Sequence, residues 1–176
     1  GIKKAKSEWI SFLDSDDHWL NNKIEVVKNH INNGPLINIL CHSEKFVRID
    51  KTEINLDYHK HYDPNANFSK LLYKVNLFSP SATTCKKSLI LNYGLFDPNL
   101  PSCQDYDLWL KLSPYMNPFF IKDVLGIYFE REGNISNSKM FVRFKNRISV
   151  QWRYRSYVGF LQFLYSCSKT VVLKRF

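Results

Sequence analysis

Cysteine is sparse and scattered in this chain. Cys41, Cys85, Cys103 and Cys167 form no C-x-x-C pair, which argues against a disulfide framework or a zinc site and fits a reducing cytoplasm. Long apolar runs are missing as well. No stretch of ~18 unbroken apolar residues offers a membrane span, and no signal peptide is visible. There is no Gly-rich loop to cradle phosphates, which counts against a phosphoryl-transfer enzyme. Repeats, low-complexity linkers and the RNP, helix-turn-helix and KH patterns of nucleic-acid binders are all absent. Acidic residues are outnumbered, 16 against 25 Lys and Arg, which leaves a net charge of +9. That balance implies an anionic partner: a phosphorylated small molecule, an acidic membrane face or nucleic acid.

What is present suits one folded domain with a core. The chain has 176 residues, 44% of them hydrophobic and 23% charged. It opens on Gly1 rather than Met and in mid-pattern, so a fragment is expected. The N-x-S matches at Asn67 and Asn134 carry weight only if the chain is secreted.

The nearly continuous apolar run Trp9, Ile10, Phe12, Leu13 predicts a strand buried on both faces, as in a parallel sheet. Leu20, Ile24, Val27 and Ile31 then recur at helical spacing, with Asn21 or Asn22 as cap and Gly34-Pro35 as stop. "PLINILCHSEKFVRID" reads as one or two strands, and residues 51–66 as polar with a loop at "YHKHYDPNAN". A short helix at "FSKLLYK", a strand around "SATTCKK", a helix "SLILNYG" ending on Gly94 and a helix "DYDLWLKLS" follow. "FFIKDVLGIYFER" gives one or two strands, "EGNISNSK" a loop, and residues 138–156 a basic helix.

The segment "EWISFLDSDDHW" crowds Asp14, Asp16 and Asp17 at the end of its apolar run. Like charges this close repel, and a hard divalent cation would relieve them, since carboxylates at i and i+2 on a turn converge on one ion. Asp14 and Asp16 have that spacing, while Asp17 could equally cap the next helix. The competing reading is a solvated acidic turn. In "CQDYDLWLKL", Asp107 and Lys111 are spaced to pair on a helix surface, whereas Asp105 shares a face with Trp109 and Leu112 and is open to a cleft role.

Taken together, four motifs resemble the family 2 glycosyltransferases, which have the GT-A fold: "GIKKAKSEWISFLDSDDHWLNNKIE", "SATTCKKSLILNYGLFDPNL", "CQDYDLWLKLS" and "GIYFEREGNIS". They stand in the family's order over residues 1 to about 136. The resemblance implies an α/β GT-A fold lacking its N-terminal nucleotide-binding half, because no P-x-Y-N strand precedes Gly1. The implied division is a partial catalytic domain, 1–136, and a basic amphipathic helical tail, 137–176.

The activity so implied moves a sugar from a nucleotide-diphosphate donor to an acceptor hydroxyl with inversion. Asp14 and Asp16 would bind Mg²⁺ or Mn²⁺ and the donor, Asp16 as the direct ligand and Asp14 nearer the ribose and sugar. Asp105 would be the general base, Arg131 would help hold the diphosphate, and Trp109 and Asp107 would lie on the acceptor side. The expected acceptor is a glycan or lipid-linked glycan of bacterial surface polysaccharide (lipopolysaccharide, O-antigen or capsule), reached at the cytoplasmic face of the inner membrane. Ser7 departs from the family's usual Gly, and Gln104 from its commoner Glu.

Other features read more blandly. His59 and His61 in "YHKHY" lack further ligands, and His18 fills a slot beside the acidic turn. In the tail, Val158, Leu161, Leu164 and Tyr165 share a helical side, adjoined by Phe160 and Phe163 and flanked by Arg153, Arg155, Lys169, Lys174 and Arg175. It suits either an anionic membrane interface or a terminal helix packed on the domain. The alternative to an enzyme is thus a non-catalytic module that binds an anionic membrane or a partner through this tail.

Overall fold

The computed structural model describes residues 1–34, 36–130 and 140–172. Six strands form one mixed sheet: β1 (Trp9–Ser11), β2 (His18–Trp19), β3 (Ile39–Val47), β4 (Glu53–Leu56), β5 (Thr83–Lys86) and β6 (Pro118–Phe129). Their order is β1-β5-β3-β6-β2, with β4 pairing β3. Among these pairings only β3 with β6 is parallel. Among the described residues, six α-helices accompany the sheet: α1 (Lys23–Asn33), α2 (Phe68–Lys74), α3 (Lys87–Tyr93), α4 (Gln104–Leu112), α5 (Met140–Arg153) and α6 (Phe160–Val172).

Local chemistry explains several of these boundaries. Asn67 caps α2, its side chain accepting from the Lys70 amide at 3.0 Å. Gly94 ends α3 at φ 140°, a conformation that a side chain would strain. The long β3 is buried along its first six residues because β5 and then β4 flank one edge while β6 covers the other. Register against β6 slips at His42–Ser43 and again at Ser43–Glu44, and such bulges re-aim strands near functional sites.

Two expectations are corrected. β1 is not a parallel strand buried on both faces: it is half-buried and pairs antiparallel with β5. The expected stripe on α1 buries Val27, whereas Leu20 and Ile24 are exposed, and the most buried side chain of that helix is Lys23. In addition, β4 forms within the polar stretch read as loop, because pairing with Glu44–Val47 satisfies its backbone.

The main core gathers Leu72, Tyr73, Phe78, Leu108, Trp109 and Phe120, and it includes Val150 of α5 and Phe163 of α6. The described part of 137–176 therefore shares the core of the preceding segment. Tyr73 Oη donates to the Gln151 carbonyl at 2.9 Å, and Asn146 Nδ2 to Ser102 Oγ at 2.7 Å, which ties α5 down at two points.

Candidate functional site

The acidic turn joins β1 to β2, and its carboxylates part ways. Asp17 is buried, accepting from Ser81 Oγ at 2.5 Å and from the Phe129 amide at 3.4 Å. It does not cap α1. Asp14 and Asp16 instead line a cavity of about 930 Å³.

Ser81 organises the turn. Its hydroxyl accepts from the Asp14 amide at 3.0 Å while donating to Asp17, and its carbonyl accepts from Trp19 Nε1 at 2.8 Å and Lys23 Nζ at 3.0 Å. The Lys23 ammonium also lies 3.6 Å from the Trp19 ring centroid. Burial lowers Lys23 to about 7. Nothing local in "SPSATT" distinguishes Ser81; only the fold brings it 67 residues back to Asp14.

α4 begins after Cys103, which sits at φ 61° in the left-handed region and lines the same cavity. Asp105 lies in the first turn of α4 and accepts from Asn76 Nδ2 at 3.3 Å. Burial raises its carboxyl above the ordinary range, opposed by hydrogen bonds and by the positive charge of Arg147. Asp14 is raised as well, by burial first and then by Asp17, Asp16 and Asp105. Asp105, about 90 residues away in sequence, thus adds to the raising of Asp14, and both line one cavity.

Among the described residues lining the cavity the cation is Arg147 on α5, which sequence reading passed over as part of a basic helix. Its guanidinium lies 5.2 Å from the Tyr106 ring, and its Nε is buried without a hydrogen-bond partner. Arg131, expected to hold a diphosphate, lies outside the described residues. Tyr58 adds a polar wall and donates from its hydroxyl to Glu44 Oε2 at 2.9 Å, and burial raises Glu44 to about 7.

Trp109 and Asp107, expected on the acceptor side, are placed in the interior. Both are fully buried and neither lines the cavity. Trp109 packs behind the wall, edge-on to Phe12 at 6.0 Å and tilted on Phe78 at 5.5 Å. Asp107 anchors α5 and α4: Oδ1 accepts from Arg153 Nη1 at 2.7 Å and Tyr154 Oη at 3.2 Å, and Oδ2 pairs with Lys111 Nζ at 3.4 Å. Phe96, from the "GLFDPNL" stretch, does line the cavity.

Among the described residues, no three His, Cys, Asp or Glu side chains are placed to enclose a metal ion. His59 and His61 occupy a 3-10 turn outside the cavity, and His18 packs edge-on to Phe129 at 5.2 Å. Asp14 and Asp16 still fit a hard cation in one mode. Mg²⁺ is commonly held by one or two carboxylates with substrate phosphates completing its shell, and the mutual repulsion recorded at Asp14 is what such an ion would relieve.

Comparison with known proteins agrees with this chemistry at a coarse level. No protein-family model matches the chain. An uncharacterized glycosyltransferase of Rickettsia typhi is 32% identical over 135 residues, covering 71% of this chain and 40% of that protein. The chain is related to glycosyltransferases. A second uncharacterized glycosyltransferase, of Haemophilus influenzae, is 27% identical over 71% of this chain and 43% of its own length. A third, of Rickettsia bellii, is 31% identical over 71% of this chain but 19% of its own length. The chain thus spans less than half the length of these relatives.

Proposed function

We propose that this chain is part of an inverting, metal-dependent family 2 glycosyltransferase with the GT-A fold, moving a sugar from a nucleotide-diphosphate donor to an acceptor hydroxyl. The observation that carries the reading is that Asp14, Asp16, Asp105 and Arg147 line one cavity of about 930 Å³. Cavities of this size accept ligands of small-molecule dimensions. The likeness to glycosyltransferases supports the same chemistry.

In this reading Asp16, with Asp14, would hold Mg²⁺ or Mn²⁺, which when bound supplies charge neutralisation for the departing diphosphate. Arg147, a cation with an unpaired buried Nε lining the same cavity, would bind the same diphosphate. Asp105 takes the proton of the acceptor hydroxyl as that oxygen attacks the anomeric carbon. Its raised carboxyl is a stronger base than an exposed aspartate, and positioned proton transfer contributes ~10²–10⁴-fold. A base set opposite the leaving group would direct a single displacement with inversion. Phe12, Phe78 and Phe96 form apolar wall around the reacting groups. The acceptor proposed is a glycan or lipid-linked glycan in bacterial surface-polysaccharide assembly.

The test is release of nucleoside diphosphate from a panel of sugar nucleotides, with and without Mn²⁺ or Mg²⁺, by a protein containing residues 1–176. Turnover is expected to need the cation and to fall ~10²-fold or more in Asp105→Asn. Undiminished turnover by that variant refutes the assignment of the base.

A further inference from the structure

The charge of this chain is divided unevenly. Residues 1–132 carry 16 basic and 16 acidic side chains, whereas residues 133–176 carry nine basic and no acidic ones. The entire +9 therefore belongs to the last 44 residues, in which α5 and α6 lie. One side of α6 holds it to the domain through Phe163, which joins the core, and Ser166, which is buried. The other side faces outward with Phe160, Leu161, Leu164 and Tyr165, which are 59%, 82%, 47% and 53% exposed. Trp152 at the end of α5 extends this face, 49% exposed and edge-on to Phe163 at 5.3 Å. Arg155 lies over the Trp152 ring at 4.1 Å.

We propose that this face of α6 and the end of α5 docks on an anionic phospholipid bilayer. Large exposed apolar patches on a folded domain mark interaction sites, and the net positive charge of the segment that bears this one, with Arg155 beside Trp152, selects the occupant. A second copy would bring two strongly basic segments together and is disfavoured by repulsion. An anionic lipid surface attracts the same segment, and Trp and Tyr beside aliphatic side chains suit the headgroup boundary. Among the described residues no helix is long and apolar enough to cross a membrane, so the contact is one of lying on the surface. The proposal stands independently of the transfer chemistry, since docking requires no turnover.

Co-sedimentation of purified protein carrying residues 1–176 with phosphatidylglycerol–phosphatidylcholine vesicles tests it. Binding is expected to these vesicles, to be at least ~10-fold weaker on pure phosphatidylcholine, and to weaken when salt shortens the Debye length from ~10 to ~3 Å. The double variant Leu161→Glu, Leu164→Glu should lose at least ~10-fold in binding. Both leucines are exposed, so its thermal melt should match the parent's. Absence of binding to the anionic vesicles, equal binding to neutral ones, or unimpaired binding by the double variant overturns the proposal. So does a concentration-dependent dimer that the double variant abolishes, which would assign the face to a second copy.

Discussion

Replacing Asp107 by Asn separates an architectural carboxylate from a chemical one. Asp107 is fully buried, yet its cations are not: Arg153 is 42% exposed and Lys111 29%. Breaking a buried ion pair costs ~3–5 kcal/mol when the orphaned charge stays buried, and an exposed pair is worth ~1 kcal/mol or less. Here the orphaned cations can turn to water, and Arg153 keeps Asp97 at 3.0 Å. Asn also retains one acceptor toward Arg153 and Tyr154. The expected loss lies between those limits, ~2–3 kcal/mol. For a chain of this length that is a melting-temperature decrease of about 4–12 °C. Thermal and urea melts measure it, and a double-mutant cycle with Arg153→Met should return a coupling of ~1–2 kcal/mol. Transfer activity below the melting range should stay within about twofold of the parent's, since Asp107 lies outside the cavity. A variant that melts within about 1 °C of the parent while losing tenfold or more in kcat/KM would refute this account and return Asp107 to the acceptor side.

Further outcomes follow from the same geometry. Ser81→Ala removes the hydroxyl that donates to the buried Asp17 carboxylate and should cost ~1–3 kcal/mol, with a weaker response of turnover to added Mn²⁺; an unchanged melt would remove Ser81 from its organising place. Arg147→Met should raise the KM for the donor more than it lowers kcat, whereas an effect on kcat alone would contradict diphosphate binding. Glu44 is raised by burial from an ordinary 4.5 to about 7. The folded state therefore binds the extra proton between these values, and stability should fall as pH rises through that window, by roughly 3 kcal/mol from this group. Glu44→Gln should flatten that part of the pH profile, and an identical slope in both proteins would show that Glu44 does not hold its proton in the fold.

The helices of this chain are legible wherever the signal is local. Asn67 capping "FSKLLYK", Gly94 closing "SLILNY" and the carboxylates opening "DYDLWLKL" each act within one or two turns. Strand partners are less legible. The run around Trp9 looks the same whether its neighbour is parallel or antiparallel, and only the return of residues 83–86 beside it decides. Lys23 shows the limit on α1. Helical spacing marked Ile24 as inward, yet the lysine reaches the Ser81 carbonyl and the Trp19 ring, and Ile24 faces outward.

The candidate site divides along the same line. The acidic turn and Asp105 stand out by residue type and spacing, because crowded carboxylates are costly unless they do something. Trp109 and Asp107 carry equally suggestive letters in the same motif, but helix geometry turned them into the interior. Ser81 and Arg147 carried no signal at all, since a serine in a polar stretch and an arginine in a basic helix are unremarkable until the chain folds.

By itself, then, the amino-acid order determined which segments coil into helices, where carboxylates gather and which end of the chain carries the positive charge. These are properties of neighbours along the backbone, where separation is a few residues and physical reach is short. Only the tertiary structure decided that residues 14, 16, 105 and 147 line one space, that Ser81 reaches the acidic turn, and that Asp17 turns away from the cavity. Contacts between such distant positions depend on how sheet and helices close on a shared core, and no spacing within a single segment encodes that closure.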